Sequence, residues 1–148
     1  MAPSLIDRPV YSMPILSANQ TTPAASTNYY IGHTSLGPTT SATLPRQYIP
    51  LSSTIKLVQL MIFCLVPGSA EMGSVYVRIN DTTDYLVSDT VQWNAALNIV
   101  FNDARNNPVM TEELTPTDYW IIKIVTPAWV TPPTNIQYWG TVGIAGDV

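Results

Sequence analysis

Ser74-Val75-Tyr76-Val77-Arg78-Ile79-Asn80 is the stretch that decides the fold. Valine or isoleucine occupies every second position, and tyrosine and arginine lie between them, which is the period of a β-strand with one buried face. Asn80-Asp81 follows directly and is typical of a turn. The stretch therefore predicts a half-buried strand that ends in a turn.

Segments with strand character continue on both sides of this stretch. Pro67-Gly68 is a turn signal at the end of the segment over 55–66. Gly140 and Gly143 indicate a bulge or a close approach within the segment over 136–144. The other predicted strands are 55–66, 84–88, 91–93, 97–101, 119–126 and 136–144, with a polar loop over 102–108. Short strands separated by turns predict an all-β protein, a jelly-roll-like β-sandwich.

The first 50 residues have a different composition. No charged residue lies between Pro9 and Pro45, and 7 of the 13 prolines precede residue 51. Proline removes a backbone N–H and favours extended geometry. Residues 1–50 are therefore predicted to form a long extended N-terminal arm with little regular structure, ahead of a sandwich body over residues 51–148.

The arm nevertheless carries many apolar side chains that need a surface to cover them. Ordering one residue costs roughly 1–2 kcal/mol of backbone entropy, and burying a large apolar side chain returns roughly 1.5–3 kcal/mol. We therefore expect an arm that is disordered in an isolated protomer and ordered against other subunits, by main-chain pairing at a sheet edge. The predicted contact residues are Leu5, Ile6, Val10, Tyr11, Ile15, Tyr29, Tyr30 and Tyr48.

The charge balance excludes several classes of protein. Charged residues make up 11% of the chain, against about 25% in an average soluble domain. The net charge is −4 and the sequence pI is about 4.6, so the chain repels phosphate and direct nucleic-acid contact is not expected. We see no apolar run of membrane-spanning length, and we expect no signal peptide. We expect no membrane association, and synthesis in the cytoplasm.

Few residues could carry out chemistry. His33 is the single histidine and has no nucleophile motif beside it, and Cys64, the single cysteine, lies in an apolar strand. Asp81 and Asp84 could hold calcium with oxygen ligands or act as a pair on a glycoside, but acids in turns usually bond the neighbouring backbone. We predict no enzymatic activity, no cofactor and no metal site, with a metal ion beside Asp81 and Asp84 as the alternative.

An uncharged, proline- and threonine-rich arm followed by a compact acidic β-domain resembles the decoration (auxiliary or cement) proteins of tailed bacteriophage capsids. The sequence is most similar to the trimeric β-sandwich decoration proteins of long-tailed Thermus phages. The resemblance is carried by the arm over 3–50, the stretch over 74–80 and the block Leu114-Thr115-Pro116-Thr117-Asp118-Tyr119-Trp120-Ile121-Ile122-Lys123-Ile124. That block also resembles strands in phage fibre and head-fibre jelly rolls.

The resemblance implies a binding role in the virion. Homotrimers would lie on the outer capsid surface at local three-fold positions and contact the major capsid protein. Their arms would tie neighbouring subunits together and stabilise the expanded shell against the pressure of packed DNA.

Three alternatives remain at this point. The first is the receptor-binding head domain of a tail or head fibre, in which loop aromatics such as Trp93 or Trp129 would touch glycan. The others are a glycan-cleaving enzyme that uses Asp81 and Asp84, and a major jelly-roll shell protein.

Overall fold

A computed structural model describes residues 10–32, 37–43, 46–49, 52–103 and 113–146. All regular secondary structure in these ranges is β-strand, which confirms the all-β prediction. The strands are β1 (Val10–Leu16), β2 (Asn28–Ile31), β3 (Gln47–Tyr48), β4 (Ser53–Val66), β5 (Gly73–Ile79), β6 (Thr83–Val91), β7 (Leu97–Asp103), β8 (Tyr119–Val125) and β9 (Thr134–Gly146).

The strands form two antiparallel sheets that pack face to face. The first sheet has the order β1-β9-β4-β7, and the second has the order β2-β8-β5-β6, with β3 also paired to β8. Side chains from the facing sides of both sheets form one continuous core. The predicted jelly-roll-like β-sandwich is confirmed.

The core is built by the alternation that the sequence shows. In β5, Val75, Val77 and Ile79 face inward and are at most 4% exposed. Larger side chains fill the space between the sheets, and the indole Nε1 of Trp93 donates a hydrogen bond to the Tyr138 hydroxyl at 3.1 Å. Burial of each such side chain contributes roughly 1.5–3 kcal/mol.

The two longest strands, β4 and β9, are neighbours at the centre of the first sheet. They approach closely at Gly140, where an added Cβ would lie 2.0 Å from the carbonyl oxygen of Gln59. This confirms the close approach predicted at Gly140. The pairing shifts by one residue between Ile55 and Leu57, which makes Lys56 the extra residue of a β-bulge.

Two predicted boundaries are wrong. A separate strand over 91–93 does not form, because β6 runs without interruption from Thr83 to Val91 and the chain leaves the sheet after that residue. The predicted polar loop over 102–108 begins too early, since β7 continues through Asp103. The remainder of that loop lies outside the described residues.

The N-terminal region is extended, but it is part of the sandwich. All seven residues of β1 pair with β9, from Val10 opposite Ala145 to Leu16 opposite Trp139. The strands β2 and β3 pair with β8. The prediction of little regular structure in the arm is therefore wrong for the described residues. The predicted boundary, at residues 50 and 51, lies outside them.

The position of Pro14 explains why proline did not prevent this pairing. The N–H of Leu16 donates to the carbonyl oxygen of Gly32 at 3.2 Å, so the even-numbered N–H positions of β1 point away from β9. Pro14 has the same parity and lies in the edge strand of the sheet. Its missing N–H therefore costs no hydrogen bond in the β1–β9 ladder.

Candidate interaction surface

Seven large apolar side chains lie on the outer side of the first sheet, which we call the apolar face. Their exposed fractions range from 36% to 76%, although each belongs to a regular strand. The members of the apolar face are Leu16, Phe63, Leu65, Leu97, Ile99, Phe101 and Trp139.

The strand register places these side chains in adjacent rows. One row joins Leu97 of β7 to Phe63 of β4. The next row crosses all four strands, from Ile99 through Met61 and Trp139 to Leu16. The rings of Phe63 and Trp139 meet edge to face, with 6.0 Å between their centroids. The apolar side chains therefore form one continuous surface.

No charge interrupts the surface within these rows. The remaining outward positions that the structure describes there are occupied by Pro14, Gln59, Met61, Gln137 and Thr141. Two charged residues lie beyond them, Lys56 at the bulge and Asp103, which is paired opposite Leu57 in the next row of the register.

The size of the apolar face is that of a protein–protein interface. At about 200 Å² for a fully exposed large side chain, the seven exposed fractions correspond to roughly 700 Å². A standard interface takes about 800 Å² from each partner, whereas the largest apolar patch on a typical monomer covers about 300–600 Å². The apolar face is therefore a surface that another protein surface should cover.

The outer side of the second sheet has the opposite character, and we call it the charged face. Asp84 accepts a hydrogen bond from the Lys123 ammonium at 2.7 Å and lies 3.6 Å from the Arg78 guanidinium. The side chains of these ion pairs are 14–28% exposed. The charged face comprises Tyr30, Arg46, Tyr76, Arg78, Asp81, Asp84, Tyr119 and Lys123.

Each cation of the charged face also lies over an aromatic ring. The guanidinium of Arg46 is 4.4 Å from the centroid of Tyr119 and forms an ion pair with Asp81. The Tyr119 hydroxyl donates to Asp81 at 3.0 Å. Partial burial, together with this hydrogen bond, raises the pKa of Tyr119. The charges on this face are therefore already paired within the protomer.

The turn after β5 is held by its own side chains. Asn80 and Asp81 have φ angles of 51° and 59°, in the left-handed region that these two residue types tolerate. The Asn80 amide donates to Asp118 at 2.8 Å and accepts from the Tyr119 N–H at 3.1 Å. The backbone N–H of Thr115, with Asn80, lowers the pKa of Asp118. These bonds give the turn acids a structural role.

The candidate chemical residues do not converge on one site. Asp81 and Asp84 are both engaged by cations. Cys64 is buried, and desolvation raises the pKa of its thiol to about 11, which keeps it protonated at neutral pH. His33 lies outside the described residues. In the ranges that the structure covers, no group of three His, Cys, Asp or Glu side chains could hold a metal ion.

The predicted contact residues lie in three different environments. Ile15 and Tyr30 are buried within their own protomer and Tyr29 packs against its core, so these side chains are largely covered by their own chain. Tyr11 and Tyr48 are exposed. Leu5 and Ile6 lie outside the described residues, and of Val10 only the backbone is described, at the start of β1. A contact between any of these residues and another protein stays a prediction.

The loop aromatics proposed for glycan contact are not available for it. Trp93 is fully buried and Trp129 is 8% exposed. Their rings pack edge to face with 5.5 Å between centroids. Their burial contradicts the glycan contact that the alternative of a fibre head domain assigned to these two rings.

Sequence reasoning missed the apolar face. In β7 the exposed parity, Leu97, Ile99 and Phe101, is the more apolar one, and Asn102 of the opposite parity is buried. A signal was present in β4, which carries apolar residues at both parities, as in Ile62-Phe63. One parity of each strand fills the core, so the other parity must lie outside it. A strand that is apolar on both sides predicts a second covered face.

No helix long and apolar enough to cross a bilayer occurs in the described ranges. Comparison with protein-family models found no matching family, and comparisons with curated proteins and with solved structures found no match.

Proposed function

We propose that this protein is a capsid decoration protein, a structural subunit that binds the outer surface of an icosahedral phage shell as a homotrimer. The observation that carries the proposal is the apolar face, a continuous uncharged surface of interface size on a regular sheet. A surface of this kind needs another protein to cover it. The proposed partner within the virion is the major capsid protein.

The proposal rests on the apolar face and not on an arm that leaves the protomer. The described part of the predicted arm pairs with β8 and β9 of its own chain. Attachment is therefore assigned to surfaces of the folded sandwich. Several protomers in one particle gain avidity for a repeating shell, because each adds an attachment without a new diffusion step.

A decoration protein stabilises a shell by mass action. If it binds the expanded shell and not the unexpanded or disrupted one, its binding free energy is added to the stability of the expanded form. The charged face is not proposed as the attachment surface or as a catalytic site, because its charges are already paired with one another within the protomer.

The test is co-sedimentation of the purified full chain with empty expanded shells of the virus that encodes it. We expect saturable binding and a higher temperature of shell disruption in its presence. Absence of binding at micromolar protein would contradict the proposal. Binding to host cells without binding to shells would contradict it as well, and would favour the head domain of a fibre.

A further inference from the structure

We propose that the apolar face is covered by the apolar faces of further copies of this chain, so that it is the surface that builds the homo-oligomer. This inference rests on the proposed function, which includes a homotrimer, and names the surface that joins the copies. The shell then binds at other surfaces of the particle, and the apolar face supports the proposed function through the oligomer that it builds, not by direct contact with the shell.

Charge favours a second copy as the occupant. The chain has a net charge of −4, so two copies repel one another over most of their surface. The rows of the apolar face are uncharged at every described outward position. Two apolar faces can therefore meet without placing like charges opposite each other, which would cost several kcal/mol at an interface. A strongly charged partner would find no complementary group there.

The arrangement of the side chains also fits a self-associating surface. Phe63 and Trp139 form an edge-to-face pair in the middle of the sheet. Large aromatic side chains near the centre of a patch are the residues that dominate interface energetics. Leu65 and Phe101 lie toward its two ends along the strands. The exposed area of roughly 700 Å² is close to the approximately 800 Å² per partner of a stable complex.

The free edge of β1 does not offer a competing route of association. Proline occupies position 14, and the N–H of Leu16 is already bonded to Gly32. Ladder pairing of β1 with a strand of another copy would therefore lack two of its N–H donors. Packing of sheet on sheet needs no free backbone group, since side chains of the two faces interdigitate.

The experiment measures the mass of the full chain by native mass spectrometry and light scattering, for the wild type and two matched variants. Ile99→Glu places a carboxylate within the apolar face, at a side chain that is 59% exposed. Leu86→Glu places the same group on the charged face, at a side chain that is 46% exposed. Both positions are exposed, and circular dichroism and thermal unfolding check that both variants fold.

We expect a wild-type oligomer, with a mass of three times 16.2 kDa, about 49 kDa, for the proposed homotrimer. A particle of two copies, about 32 kDa, would support the inference, because two like faces close on each other, and would remove the trimer from the proposed function. Ile99→Glu should weaken association by at least about 100-fold, because each copy would bury a carboxylate against the others. Leu86→Glu should leave the particle mass unchanged. The inference would be overturned if the wild type were still monomeric at about 50 µM protein, a concentration at which a stable oligomer is associated. Equal dissociation by the two variants would overturn it as well.

Failure of this inference can be told from failure of the proposed function. A monomeric wild type that still co-sediments with shells would remove the inference and leave decoration in place. An oligomer that Ile99→Glu dissociates, but that never binds shells, would support the inference and remove decoration. A variant that is monomeric and also loses most shell binding would support both, since avidity depends on the oligomer.

Discussion

The two outer faces of this sandwich differ more than the two inner ones. Both inner faces carry valine, isoleucine and leucine at alternate positions and merge into one core. On the outside, the first sheet presents seven uncovered apolar side chains, whereas the second presents ion pairs and cation–ring contacts. The inner positions therefore set the fold, and we propose that the outward positions of one sheet set the association of the protein.

This division has a consequence for mutation. A side chain on the apolar face is partly exposed in the protomer, so its loss removes less folding free energy than the loss of a core side chain. The same side chain would be buried in an oligomer, where its loss would be felt in full. Folding and association should therefore respond to different sets of residues, and the following variants separate them.

The largest effect is expected within the first sheet itself. Gly140→Val would put a Cβ 2.0 Å from the Gln59 carbonyl oxygen, so β4 and β9 could not keep their spacing. We expect a loss of about 4 kcal/mol or more in the free energy of unfolding, the range of overpacking combined with broken pairing. Urea denaturation measures it.

The control for that variant is Gly37→Ala. The nearest atoms to a Cβ at this position are 3.7 Å away, which is ordinary contact. We expect its free energy of unfolding to change by less than about 1 kcal/mol. Equal stabilities for the two variants would show that the sheet does not require the close approach at Gly140.

Alternation of residue types made most of the sandwich predictable from the sequence. The stretch over 74–80 corresponds to β5, one residue displaced, and the segments over 119–126 and 136–144 correspond to β8 and β9. In β5 and β9 one parity is apolar and indicates the buried side, whereas β8 is apolar at most positions of both parities. The apolar face was not predicted, because β4 is apolar at both parities, and because in β7 the more apolar parity, which the pattern alone would place in the core, lies outside it.

The N-terminal strands were missed for a different reason. A proline weakens strand pairing only where the N–H that it lacks would have bonded to the neighbouring strand. At Pro14 the strand lies at the edge and the N–H position points away from β9. Whether a proline has this orientation depends on the register with a strand more than a hundred residues later, which local sequence does not encode.

The variant Trp139→Ala tests the centre of the apolar face, in addition to Ile99→Glu. The indole is 49% exposed in the protomer, so at concentrations where the chain is monomeric the thermal midpoint should fall less than it would for a buried core tryptophan such as Trp93. Association should weaken by about 2 kcal/mol or more, the loss typical of a central aromatic residue at an interface. Sedimentation equilibrium gives the dissociation constant.

The matched variant for that measurement is Tyr48→Ala. Tyr48 is 55% exposed and packs edge to face on Tyr119 beside the charged face. It was also one of the contact residues predicted from the sequence. If the apolar face alone joins the copies, Tyr48→Ala leaves the dissociation constant unchanged. A loss as large as that of Trp139→Ala would place the contact on the other side of the sandwich.

A smaller effect is expected on the charged face. Asp84→Asn removes the ion pairs with Lys123 and Arg78, whose side chains are partly exposed. Solvent screens such pairs, so the unfolding free energy should fall by about 0.5–1 kcal/mol. The difference in unfolding free energy between Asp84→Asn and the wild type should shrink in 0.5 M NaCl, because the Debye length is then roughly a few ångströms and salt screens the ion pairs.

The same variant should leave the oligomer intact, which distinguishes its face from the other. Asp89→Asn, an exposed position on the same strand β6, makes the same charge change and should cost less stability. A change in particle mass with Asp84→Asn would mean that the charged face also contributes to association.

The smallest effect concerns acid stability at the turn after β5. Asp118 has a lowered pKa in the folded protein, chiefly because the Thr115 N–H and the Asn80 amide bond its carboxylate. A carboxyl group whose pKa is lower in the folded than in the unfolded protein stabilises the fold at pH values above its unfolded pKa, which is about 3.9 for aspartate. That stabilisation is lost as the pH falls through the folded pKa. When the pH falls from about 5 to about 3, through the unfolded pKa of aspartate, the free energy of unfolding should therefore fall less for Asp118→Asn than for the wild type.

The size of that difference should be roughly a fraction of 1 kcal/mol, because Asp118 is only partly buried and solvent screens its interactions. Urea unfolding at each pH measures it. Asn80→Ala gives the companion measurement, since it removes one donor and leaves every carboxylate in place, and it should lie between the wild type and Asp118→Asn. If Asp118→Asn kept the full acid dependence of the wild type, the acid-sensitive contact would lie elsewhere, and the turn would be held by Asn80 and the backbone alone.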